Sequence, residues 1–99
     1  MNKKIKTLAV DSLFGAILTL KDLDECYAFF EDVCTVHELL SLAQRYQVAM
    51  MLRQKNTYLE LAEKTGASPA TTSRVNRSLN FGHDGHDITF ERLGLHDPK

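Results

Sequence analysis

The segment between Lys64 and Arg77 combines small hydroxyl and methyl side chains with three basic residues. Small side chains of this kind fit the floor of the DNA major groove, where they contact base edges, while guanidinium and ammonium groups bind the phosphates on either side. We therefore expect this segment to bind double-stranded DNA. The residues expected to contact it are Lys64, Ser68, Pro69, Ala70, Thr71, Ser73, Arg74 and Arg77.

A second set of reactive residues follows, where His and Asp alternate around Gly82 and Gly85 and recur near the end of the chain. Imidazole nitrogens and carboxylate oxygens are ligands for zinc and similar ions. Their spacing matches no established site, and solvated turns use the same residues, so we expect no metal. A metal-dependent enzyme remains a minor alternative. The residues concerned are His83, Asp84, His86, Asp87, His96 and Asp97.

Two short helices joined by a tight turn would present the basic segment. Residues 57–60 follow the capping-box pattern that starts a helix, and Gly66 supplies the left-handed residue that ends it. Ser68 then caps a second helix with Pro69 at its first position, and this helix is expected to run to about Leu79. This is the pattern of a helix-turn-helix unit.

The apolar residues of these two helices are expected to pack against each other. Leu61 and Ala62 would face the second helix. Thr72 and Val75 would face back, and Leu79 would close the end. A plain corner between two helices is the alternative, but the outward set of small and basic side chains favours DNA binding.

Three helices are expected before this unit and one after it. Asp11 or Ser12 would cap the first, and residues 21–24 would open the second. A Thr35–Glu38 capping box would start the third, which runs to about Gln54. A short helix over Ile88–Leu93 would follow the loop Asn80–Asp87. The second helix is expected to bury an apolar stripe consisting of Leu23, Cys26, Tyr27, Phe30 and Val33.

The third helix is apolar on several sides, so it needs several neighbours. A chain of 99 residues offers few. We therefore expect a second copy of the chain to cover it, in a homodimer.

Composition favours one globular domain, with 43% hydrophobic and 25% charged residues and a net charge of -1. Residues 7–38 carry one base and seven acids, whereas residues 43–80 carry six bases and two acids, so the second half could face a polyanion. The uncharged stretch from Ser12 to Leu20 is too short to cross a membrane. No signal peptide is apparent, and two cysteines suit a reducing compartment, so we expect a cytoplasmic protein.

The segment Gly66–Arg74, the pair Ser78–Leu79 and the preceding helix from Thr35 to Arg53 resemble the Trp repressor family. Within that family the similarity is greatest to the bacterial Trp-repressor-like proteins of the YerC/YecD type. The resemblance covers about residues 33–80. It implies an all-α, intertwined homodimer that reads a two-fold operator. Residues 1–99 would then form one domain, with a dimerisation part (7–54), a helix-turn-helix (57–80) and a final loop, helix and tail (81–99).

The resemblance also implies an effector pocket. Thr35 would cap a helix beside it, Arg45 would stack on an indole, and Arg74 and Ser78 would contact the rest of the ligand. The tryptophan repressor has a glycine after its second arginine, where this chain has Val75. Three extra carbon atoms would fill the indole site, so we expect no tryptophan cofactor. Phosphate contacts or ion pairs with acids of the second helix are alternative roles for the two arginines.

These observations predict a sequence-specific, DNA-binding transcriptional regulator, a repressor that docks its helix-turn-helix in the major groove as a homodimer. No nucleophile with a base and no phosphate-binding glycine loop indicates an enzyme. A helical protein–protein interaction module that does not bind DNA is the main alternative, and the identity of any small-molecule effector stays open.

Overall fold

The computed structural model describes residues 2–95, which form six α-helices and no β-strand. They divide into two compact units, the first ending at Leu39 and the second beginning at Leu40. No helix in this range has the length and apolar character needed to cross a membrane. The helices are α1 (Leu8–Ile17), α2 (Leu23–Val33), α3 (Val36–Arg53), α4 (Tyr58–Thr65), α5 (Pro69–Phe81) and α6 (Gly85–Arg92).

Helix α1 begins earlier than the sequence predicted. Its N-cap is Thr7, whose hydroxyl oxygen accepts a hydrogen bond from the Val10 amide at 3.1 Å. The prediction of Asp11 or Ser12 as the cap was therefore wrong. Asp11 lies in the first turn instead, where a carboxylate interacts favourably with the positive end of the helix dipole.

Helix α2 begins where the sequence predicted, because Asp22 accepts a hydrogen bond from the Glu25 amide at 2.9 Å. Its apolar stripe, however, is not buried within one chain. Leu23 is 76% exposed and Tyr27 is 63% exposed, and no residue of α1 or α2 is fully buried. The predicted burial of this stripe is wrong for the single chain.

Helix α3 is capped as predicted by Thr35 and Glu38, each of which accepts a hydrogen bond from the other's backbone amide. The helix spans Val36–Arg53, close to its predicted end. Its last half supplies Val48, Ala49 and Met51 to the core. The exposed large apolar residues along α3 are Val36, Leu40 and Leu42.

The core of the second unit is built mainly from α3, α4 and α5. Leu61, Val75 and Leu79 are buried in it as predicted, and so is Thr72. Its buried apolar residues are Val48, Ala49, Met51, Leu61, Ala67, Val75, Leu79 and Phe90.

The predicted burial of Ala62 is wrong, because this residue is exposed. Adjacent residues of a helix lie about 100° apart around its axis, so Leu61 and Ala62 do not share a face. Ala67, in the turn after α4, is the buried alanine instead, with 5% exposure.

The loop between the last two helices is shorter than the sequence predicted. Helix α5 continues to Phe81, and α6 begins at Gly85 rather than at Ile88. Only residues 82–84 separate them. Phe90 anchors α6 in the core at 4% exposure, whereas Ile88 remains 44% exposed.

Candidate nucleic-acid interface

The turn between α4 and α5 is fixed by local hydrogen bonds. Gly66 adopts the left-handed conformation at φ 68°, and its amide donates to the Ala62 carbonyl at 3.0 Å. The Thr65 hydroxyl donates to the Leu61 carbonyl at 2.6 Å and accepts from the Ala67 amide at 3.1 Å. Few residues other than glycine adopt this φ without strain, so the tight turn depends on Gly66.

The start of α5 uses two of the predicted DNA-contacting hydroxyls as a cap. The Ser68 hydroxyl oxygen accepts from the Thr71 amide at 3.1 Å, and the two hydroxyl oxygens are also 3.1 Å apart in a hydrogen bond. Pro69 occupies the first turn, where no amide donor is needed. Ser68 and Pro69 remain exposed. This helix N-terminus therefore presents polar groups of the kind that bind phosphate oxygens.

Helix α5 has two distinct faces. Thr72, Val75 and Leu79 are buried at spacings of three and four residues, which places them on one side. Of the other predicted DNA-contacting positions of this helix, Thr71 is only partly exposed, and the remaining ones are exposed. They are Ala70, Ser73, Arg74 and Arg77.

The exposed face of α5 is positively charged. The helix contains two arginines, Arg74 and Arg77, and no acidic residue. Lys64, in the last turn of α4, is also exposed. The single ion pair among residues 2–95 joins Arg53 to Asp87, so none of these three cations is paired within that range. Their charges are available to a polyanion.

Two contacts from α3 support this unit, and sequence reasoning missed both. Gln44 donates from its side-chain amide to the Thr65 carbonyl at 3.0 Å, next to the turn. Arg53, one of the six bases of residues 43–80, forms an ion pair with Asp87 at 2.8 Å. The hydrogen bond from Arg53 holds the pKa of Asp87 below its usual value. These partners are 21 and 34 residues apart, so no local pattern signals them.

The residues assigned to an effector pocket are distributed over both units. Thr35 caps α3 in the first unit, while the other residues lie in the second. Arg45 and Arg74 are exposed. Val75 is 3% exposed within the core, and the Ser78 hydroxyl donates to the Val75 carbonyl at 2.8 Å. The buried position predicted for Val75 is therefore confirmed.

The His and Asp residues near α6 are the candidate metal ligands of the chain. No group of three or more potential ligands occurs within residues 2–95, and His96 and Asp97 lie outside that range. The His86 ring instead stacks on Phe90, with centroids 6.0 Å apart, and lies 5.9 Å from the Tyr46 ring. Its partial burial lowers the pKa of His86.

Comparison with known proteins agrees with this architecture. The family model described as Trp repressor protein matches residues 9–94. The uncharacterized protein YerC of Bacillus subtilis (strain 168) is 52% identical over 90 residues, which cover 91% of this chain and 86% of YerC.

Two crystal structures have the same fold. A TrpR-like protein from Eubacterium eligens ATCC 27750 is 67% identical, with a TM-score of 0.93 over 98% of this chain and 100% of that one. A candidate Trp repressor from Staphylococcus aureus is 47% identical, also with a TM-score of 0.93, over 97% and 96% of the two chains. With its six helices, its helix-turn-helix and a family match over most of its length, the chain belongs to the Trp repressor family.

Proposed function

We propose that this protein is a sequence-specific DNA-binding transcriptional repressor that inserts α5 into the major groove. The observation that carries the proposal is the outer face of α5, where Ala70, Ser73, Arg74 and Arg77 are exposed on a helix without acidic residues. Small side chains allow close approach to base edges, and the arginines reach phosphates or guanines. Lys64 adds a phosphate contact from α4. We place this activity in the bacterial cytoplasm.

The repressor acts as a homodimer. One chain leaves many large apolar side chains half or more exposed along its first three helices and at their ends. A second copy would bury them. The operator is then expected to be two-fold symmetric, with half-sites about one helical turn, roughly 34 Å, apart. The large apolar residues that support this proposal are Leu8, Phe14, Leu18, Leu23, Tyr27, Val33, Val36, Leu40 and Leu42.

DNA binding does not require tryptophan in this proposal. Val75 is buried in the same core cluster as Leu61 and Leu79. The resemblance to the tryptophan repressor matches it to a glycine of that protein. If that match holds for the pocket, the isopropyl group of Val75 fills the space that an indole ring would need. Arg45 and Arg74 are free of ion pairs within residues 2–95 and serve as phosphate contacts instead.

Selection from a random duplex pool tests the proposal directly. The protein should enrich a two-fold symmetric sequence, and its affinity should fall steeply with salt because phosphate contacts release counterions. A protein that enriches no sequence and binds no duplex at low salt would refute DNA binding. That result would favour the protein–protein interaction module.

The exposed face of α5 is tested by Arg77→Ala, and Arg92→Ala on α6 is the matched control. Loss of one phosphate contact should weaken binding to all duplexes and lower the slope of log affinity against log salt by about 1. The control removes the same charge from an exposed site outside α5 and should change the slope little.

Ala70→Glu tests the same face at its groove-facing end. It should abolish binding, since it sets a carboxylate against the DNA. Parent-like affinity in both Arg77→Ala and Ala70→Glu would show that α5 is not the DNA-reading helix.

A further inference from the structure

Arg53, the last residue of α3, joins three helices through one guanidinium group. Its Nε donates to Asp87 Oδ1 at 2.9 Å, and its Nη2 donates to Asp87 Oδ2 at 2.8 Å. The same Nη2 donates to the backbone carbonyl of Leu79 at 3.1 Å. The paired geometry with Asp87 fixes the plane of the guanidinium group, and thereby aims Nη2 at the end of α5.

The contact with Leu79 meets a specific need of α5. The last four carbonyls of a helix lack partners within the helix, and a cation near them also interacts favourably with the helix dipole. Leu79 is among these last residues, because α5 ends at Phe81. Helix α5 has no basic residue in its own last turn. Arg53 supplies that charge from α3.

Helix α6 is held against α3 by further contacts around this group. The Tyr46 and Thr89 hydroxyl oxygens are 2.8 Å apart in a hydrogen bond. The Tyr46 and Phe90 rings have centroids 5.3 Å apart, and Phe90 is buried. Asp87 is therefore presented to Arg53 by a helix that is itself anchored. The side chains of Arg53 and Asp87 are only 29% and 40% exposed, which limits competition from water.

We infer that Arg53 and Asp87 are positioning residues for DNA recognition, which fix the C-terminal half of α5, including Arg77, for entry into the groove. The inference rests on the proposed DNA binding. The charge of Arg53 is used to hold Asp87 and Leu79 rather than a phosphate. The negative charge of Asp87 would by itself repel DNA. Asp87 favours DNA binding only because it holds Arg53, and through Arg53 the end of α5, in place.

Simple electrostatics predicts the opposite effect, and this gives a sharp test with Asp87→Asn. Removing a negative charge near a DNA-binding surface would by itself strengthen binding. Loss of the paired geometry should instead weaken binding to the selected operator about tenfold, comparable with losing one base contact. Binding to random duplex should not weaken, since it depends mainly on net charge. Arg53→Lys, which keeps the charge but not the two-pronged contact, should lose operator affinity in the same way.

Glu91→Gln is the matched control, because it removes the same charge from an exposed position of the same helix. It should leave the ratio of operator to random-duplex affinity unchanged. Circular dichroism at the assay temperature establishes that each variant is folded. A merely structural role for Asp87 would lower the active fraction for both duplexes equally, whereas a positioning role changes their ratio.

Operator affinity of folded Asp87→Asn equal to or above that of the parent would overturn the positioning role and leave DNA binding intact. An equal loss for both duplexes would also overturn it. A parent protein that binds no duplex would refute the proposed function, and the positioning role with it.

Discussion

The substitution Val75→Gly tests the proposal that the core has no room for an indole ligand. Val75 is 3% exposed, so its three side-chain carbons are almost fully removed from water. Each buried carbon group stabilises the fold by about 0.8 kcal/mol, so removal of all three should lower the free energy of unfolding by about 2.4 kcal/mol. Glycine in place of valine inside a helix adds about 0.4 kcal/mol. We expect a loss of about 3 kcal/mol, and more if the cavity does not collapse.

The assay is urea and thermal unfolding at one fixed protein concentration, since a dimer's stability depends on concentration. A loss of about 3 kcal/mol should lower the melting temperature by about 12–24 °C in a domain of this size. Val75→Ala keeps the first carbon, and alanine has a better helix propensity than valine. It should therefore lose only about 1 kcal/mol and fall between the two proteins. An unfolding free energy of Val75→Gly within about 0.5 kcal/mol of the parent would refute the burial argument, because surface changes have that size.

Calorimetry with the same variants tests whether the protein binds tryptophan. Forcing an indole against the valine should cost about 1–3 kcal/mol, which weakens affinity by roughly tenfold to a hundredfold or more. Titration of tryptophan into the parent should therefore give no measurable heat and should leave DNA binding unchanged. Val75→Gly should recover weak binding through Arg45 and Arg74. Micromolar tryptophan binding by the unmodified protein would refute the blocked pocket.

Three further predictions concern stability and assembly. A side chain at Gly82 would overlap the backbone carbonyl of Ser78, so Gly82→Ala should lower the melting temperature of the protein. Gly85→Ala is the control, because a side chain there would meet no neighbouring atom. Equal melting temperatures for the two variants would contradict this prediction. Because burial lowers the pKa of His86 from 6.5, the unfolded chain takes up a proton first as the pH falls. The free energy of unfolding should therefore decrease just below pH 6.5, and His86→Leu should remove that decrease in a urea titration against pH. The melting temperature should rise with protein concentration, and light scattering should give the mass of a dimer. The mass of a monomer, together with a melting temperature that does not depend on concentration, would refute the homodimer.

Much of the fold followed from signals between near neighbours in the sequence. The caps at Thr35, Thr57 and Ser68 each depend on a hydrogen bond to a residue three positions later. The left-handed turn at Gly66 depends on one residue. Such features are decided within one helical turn, so the sequence predicts them directly. The buried face of α5 followed likewise from the spacing of its apolar residues.

Other features were decided only by tertiary packing. Helix geometry alone sets Ala62 apart from the face of Leu61, but the burial of Ala67 depends on how the turn packs onto the core. The start of α6 was misplaced because burial of Phe90, rather than a capping side chain, fixes that helix.

The contact between Arg53 and Asp87 shows the difference most clearly. In the sequence both residues are ordinary charged residues, 34 positions apart. Only the folded chain brings the ends of α3 and α5 next to α6, where one guanidinium group reaches a carboxylate and a helix-terminal carbonyl. The sequence by itself determined that the chain is helical, the caps of α3, α4 and α5 and the outward residues of α5, because these depend on local spacing. The tertiary structure decided how α5 is held, because that depends on contacts between residues far apart along the chain.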